Sequence, residues 1–144
     1  MGQFLFPLLA LLAGFAITLQ AQFMGLLDKT LGTKESVLIT YASGGALAVL
    51  LALVSGRVNL RGDISLPWYA YTTGALGLVI VGTIGYVVPR IGAARGLTMI
   101  VASQFLLAAL VDQFGLLGAV PRPLDPSRIL GLAIMLGGVW LVVR

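Results

Sequence analysis

The chain contains no cysteine and no histidine. Those two absences exclude disulfides, thiolate chemistry, zinc sites built from Cys and His, and imidazole proton relays. Charge is nearly as scarce. Asp, Glu, Lys and Arg make up 10% of the residues, well below the level of a soluble domain. The net charge of +4 comes from isolated cations. There is no basic run and no nucleic-acid motif, so no DNA or RNA partner is expected. No carboxylate pair, nucleophile with a base, phosphate-binding glycine loop or metal-ligand spacing is present, so neither an enzyme nor a cofactor is expected. What is abundant is apolar surface: 59% of residues are hydrophobic and the mean hydropathy is +1.06.

The few charges fall between long apolar runs. Met1–Leu27, Ser36–Gly56 and Ile64–Pro89 carry none, Gly96–Val120 is broken only by Asp112, and Ile129–Val143 closes the chain. A hydrocarbon core of about 30 Å needs roughly 20 apolar residues in helix. The expected fold is therefore an all-α integral membrane protein in a single membrane domain. Its five transmembrane helices are expected over about 4–27, 36–56, 67–88, 94–114 and 126–143. The first run lacks a basic leader and is long enough to span, so it reads as a helix and not as a signal peptide.

Local signals suggest the helix ends. Asp28-Lys29 closes the first helix, and Thr33 or Ser36 is placed to cap the second. Ser55-Gly56 is a C-terminal cap pattern. Pro67 suits the first turn of the third helix, with Trp68, Tyr69 and Tyr71 as an aromatic belt. Pro89 is expected to stop that helix. The fourth fades at Gly115 or Gly118, Pro121-Arg122-Pro123 reads as loop, and Asp125-Pro126 opens the fifth.

An odd number of spans puts Arg57, Arg61, Arg122 and Arg128 on one face and Lys29, Lys34, Arg90, Arg95 and Arg144 on the other. Orientation follows the Lys/Arg bias of short loops, and four against five leaves almost none to follow.

Polar groups in hydrocarbon cost several kcal/mol if unpaired. Asp112 is the one acid inside an apolar run, near a helix C-terminus where the dipole disfavours a carboxylate. It reads either as a coupling or cation-binding acid, or as a headgroup-layer acid, solvated or paired with Arg122. Gln104, beside Ser103, lies two turns before Asp112. Gln20 and Gln22 lie late in the first helix, with Thr18 just before them. Each glutamine is either a cavity group or interhelical glue. Tyr41, Ser43, Thr83 and Tyr86 are further hydroxyls for a cavity or for packing. Small residues four apart (Gly14 and Thr18, Ala42 and Ala46, Ala133 and Gly137) let helices approach closely, as do the glycine pairs 74/77 and 82/85.

Several segments together resemble a known family. They are Pro89-Arg90-Ile91-Gly92-Ala93-Ala94, Val101-Ala102-Ser103-Gln104 and Leu110–Gly118, together with Leu19-Gln20 and the closing Leu136–Leu141. The resemblance is to the YdcZ-like family, a five-span branch of the drug/metabolite transporter superfamily akin to the small multidrug-resistance exporters. Gln113 stands where many relatives carry His, and Met24 where many carry Asn, so no role transfers to those two positions. The first helix also lacks the embedded Glu on which the small multidrug exporters rely for proton exchange.

The resemblance implies a multi-pass protein of the bacterial inner membrane that works as an antiparallel pair. Taken with the charge count, it leads to the expectation of a dual-topology transporter for a small cation or neutral polar metabolite. The partners are lipid and an inverted second copy, or an oppositely oriented paralogue. Gln20, Ser103, Gln104 and Asp112 are the candidate substrate-binding residues. A passive channel and a non-transporting membrane subunit are the alternatives.

Overall fold

A computed structural model describes residues 2–56 and 67–144. The Asn59–Ser65 loop and its neighbour Arg57 lie outside the described residues. Among the described residues, five helices are long and apolar enough to cross a membrane. They are α1 (Gly2–Leu31), α2 (Thr33–Ser55), α3 (Thr73–Ile91, entered through a 3-10 turn at Trp68–Thr72), α4 (Ala93–Phe114) and α5 (Pro126–Val143). No strand occurs among the described residues. Most large apolar side chains are exposed, among them Phe4, Leu53, Val54 and Ile134. In lipid that surface needs no protein cover.

The first compact unit is residues 1–90. α1 and α2 form a hairpin broken only at Gly32, whose φ of 104° and ψ of 164° suit glycine alone. α1 thus runs past the charged pair Asp28-Lys29 to Leu31. Neither expected cap of α2 acts as one. Thr33 is the first helical residue and its hydroxyl donates to the Asp28 carboxylate, while the Ser36 hydroxyl donates 3.0 Å to the Met24 carbonyl. A turn of one residue brings both hydroxyls back onto α1 before they can reach the amides of α2. Ala21, Met24, Ser36 and Val88 are buried, as are Gly25 and Gly85. Glycine makes this approach possible. A Cβ on Gly85 would stand 2.8 Å from the Met24 methyl, and one on Gly77 2.5 Å from the Tyr41 hydroxyl. Gly74 and Gly82, by contrast, face open space.

Pro89 does not stop α3, which continues to Ile91. A proline in the last turn forfeits a single backbone hydrogen bond. Here Arg90 holds that turn, donating 2.6 Å to the Tyr86 carbonyl with its guanidinium 3.7 Å above the Tyr86 ring.

The second unit is residues 91–144, a hairpin of α4 and α5. Gly115, at φ 61°, caps α4 through its amide on the Val111 carbonyl. The chain then makes a 3-10 turn at Leu116–Gly118 and an irregular passage to Asp125. Two bonds fold this passage back: the Arg122 amide donates 2.7 Å to the Asp112 carbonyl, and the Leu124 amide donates to the Gln113 side-chain oxygen. Asp125 caps α5 as its sequence implies, accepting 2.8 Å from the Arg128 amide, with Pro126 in the first turn.

Candidate functional site

In the first unit the polar groups gather around Gln20. It lies twelve residues before Gly32, and Gly44 lies twelve after it, so both sit about 18 Å along their helices from the turn. Gln20, Thr40 and Gly44 line two adjoining grooves of about 520 and 410 Å³. Ser43 borders the first, Tyr41 and Val81 the second. Gln20 is exposed on the α1 surface, and its amide is able both to donate and to accept. Thr40 was not among the sequence candidates, because a lone threonine in an apolar run carries no signal; its hydroxyl bonds back to the Ser36 carbonyl at 2.8 Å.

In the second unit Asp112 is half-buried and lies twenty residues after Gly92. That is about 30 Å of helix, the length of one hydrocarbon thickness. It lines a groove of about 510 Å³ with Phe105, Ala108, Leu124, Arg128 and Met135. The expected Arg122 partner contributes its backbone amide to the Asp112 carbonyl, and Arg128 supplies the cationic side chain in the groove.

Ser103 and Gln104 are exposed on α4. Nine residues at about 100° each put Ser103 on the far side of α4 from Asp112. The Ser103 hydroxyl donates 2.7 Å to the Ile100 carbonyl, which leaves its oxygen as an acceptor. Gln104 flanks neither groove wall of α4. The four candidates therefore fall on three surfaces: Gln20 on the α1–α2 grooves, Asp112 on the α4–α5 groove, Ser103 and Gln104 on other faces of α4.

A cluster at the α1–α2 turn was not anticipated. The Asp28 carboxylate, 9% exposed, accepts from Thr33 and pairs with Arg90 at 3.3 Å. Sixty-two positions separate Asp28 from Arg90, so no local pattern could connect them.

No curated protein and no solved structure gives a match to this chain. A family profile, described as "Putative inner membrane exporter, YdcZ", matches residues 5–141. That is nearly the whole chain, and it reaches from the first spanning helix into the fifth. The chain belongs to the YdcZ family of inner-membrane exporters, as a multi-pass protein of the inner membrane.

Proposed function

We propose that this membrane transporter inserts in both orientations and pairs as an antiparallel homodimer, moving a small cation or neutral polar metabolite by alternating access. The observation that carries the proposal is the cation balance: Lys29, Lys34, Arg90, Arg95 and Arg144 against Arg57, Arg61, Arg122 and Arg128. With so little bias, the loops give insertion no preferred direction. Two inverted copies of an odd-span chain reproduce the inverted repeats of larger transporters. In such a pair the inward-open and outward-open states have equal energy when empty, so exchange between them is cheap.

Gln20 offers amide hydrogen bonds near the midplane, supported by Thr40 and Tyr41. Ser103 and Gln104 present a second polar face on α4, and Asp112 stands at a cavity mouth. Gln20, Thr40, Tyr41, Ser103 and Gln104 are uncharged, and Arg128 shares its groove with Asp112 alone among these groups, so the polar groups away from that mouth favour a cation or a neutral solute over an anion. The exporter family agrees with transport out of the cell.

Topology tests the reading directly. The chain has no cysteine, so single cysteines at Asn59 and Val143 report without background. Labelling of both from outside intact cells, in comparable fractions, is the expected result. Labelling of one site alone would remove self-pairing by inversion.

A further inference from the structure

The α4–α5 groove holds two opposite charges that do not close on each other. Asp112 and Arg128 line the same space, yet the ion pair found among the described residues joins Asp28 to Arg90. Beyond the two charges the groove is apolar, and Phe105 and Met135 carry it into a second cavity of about 270 Å³ reaching Leu97 and Val139. Nothing stands within 4 Å of a Cβ on Gly131, so the floor beside Arg128 is open. From Ala109 to Leu97 the track follows α4 for twelve residues, about 18 Å. A single leaflet of hydrocarbon is about 15 Å deep.

We propose that this groove binds one phospholipid of the adjoining leaflet, with a headgroup that carries both a phosphate and a primary ammonium. The inference goes beyond the transport reading and does not depend on it. An acyl chain alone would gain little here, because lipid tails solvate any helix surface equally well. Selectivity must come from the two charges. The Arg128 guanidinium matches a phosphate in two parallel hydrogen bonds. The Asp112 carboxylate accepts from an ammonium a few atoms farther along the same headgroup. A headgroup with phosphate but no cation would set its negative charge against Asp112. A quaternary ammonium would bring charge but no N–H to donate. A second copy of this chain would cover the apolar track but offers no phosphate.

Native mass spectrometry of the full chain, delipidated in detergent and then titrated with three lipids, tests this. Phosphatidylethanolamine is expected to bind about tenfold tighter than phosphatidylglycerol or phosphatidylcholine, the worth of one charge-assisted hydrogen bond. Arg128→Gln is expected to weaken all three by about tenfold. Asp112→Asn is expected to abolish the preference for phosphatidylethanolamine. Ala108→Phe, which fills the floor, should weaken binding without changing the order. Equal binding of the three lipids to the unaltered chain overturns the proposal, and that result needs no variant to fold. A preference that survives both charge substitutions overturns it too. Exclusion of all three lipids from a dimeric species would overturn it by assigning the groove to a second copy.

Discussion

Asp28 joins three helices at one point. It sits in the last turn of α1, accepts the hydroxyl of the first residue of α2, and pairs with the last turn of α3. Its partner Arg90 is 45% exposed, which makes the two sides of the contact unequal. Asp28→Ala leaves a part-buried hydroxyl and a guanidinium without their acceptor, and is expected to cost about 1–3 kcal/mol. Arg90→Gln removes a partly screened charge together with its bond to the Tyr86 carbonyl and its place over the Tyr86 ring, and should cost about 1 kcal/mol. Thermal unfolding of the purified protein in detergent separates the two. Equal losses would mean that the cation, and not the buried carboxylate, carries the contact. The charge of Asp28 is plain in the sequence, but its role is not, since nothing near it in the chain announces Arg90.

Three of the helix ends behave as local chemistry dictates. Gly56 and Gly115 both end helices in the left-handed conformation, and Asp125-Pro126 opens α5. A Cβ on Gly115 would meet Pro121 at 2.7 Å and the Ala119 carbonyl at 3.3 Å. Gly115→Ala is therefore expected to cost about 1–3 kcal/mol. Gly85→Ala should be milder, because the atom it meets is the far end of the flexible Met24 side chain. Chemical or thermal unfolding in detergent should rank them in that order.

The cap of α5 also carries a pH dependence. The Ser127 hydroxyl and the Arg128 amide hold the Asp125 carboxyl below its usual range. Its folded value is thus lower than its unfolded one. The cap contributes fully above the unfolded carboxylate pKa of about 3.9 and is lost as pH falls through the folded value. Hydrogen exchange at the Arg128 amide should show protection that persists at neutral and mildly acidic pH and fails below. Asp125→Asn should keep the protection and remove its pH dependence, whereas Asp125→Ala should lose it throughout.

For the whole molecule, the cation count makes orientation adjustable. Arg57→Gln with Arg61→Gln leaves two cations on one face against five on the other. That variant is expected to insert almost wholly one way, with the Arg144 face in the cytoplasm, and to be inactive alone. A second variant, Lys29→Gln with Lys34→Gln and Arg95→Gln, tips the balance the other way and avoids the Asp28–Arg90 pair. Co-expression of the two should restore transport in a vesicle or whole-cell uptake assay. Activity of either variant by itself would show that an inverted partner is not required.

The sequence alone determined the five spans, the even share of cations among their loops, and the ends at Gly56 and Asp125, and it narrowed the end of α4 to Gly115 or Gly118. Each of these depends on residues within a turn or two of one another, or on the fixed thickness of hydrocarbon. Only the tertiary structure decided that Thr33 and Ser36 turn back onto α1, that Pro89 stays inside α3, and that Asp28 meets Arg90. It also decided that Asp112 shares a groove with Arg128. Those outcomes depend on how each helix is rotated about its axis. Helices that are apolar on every side carry almost no pattern to fix that rotation, so it is set by where glycines let neighbours approach.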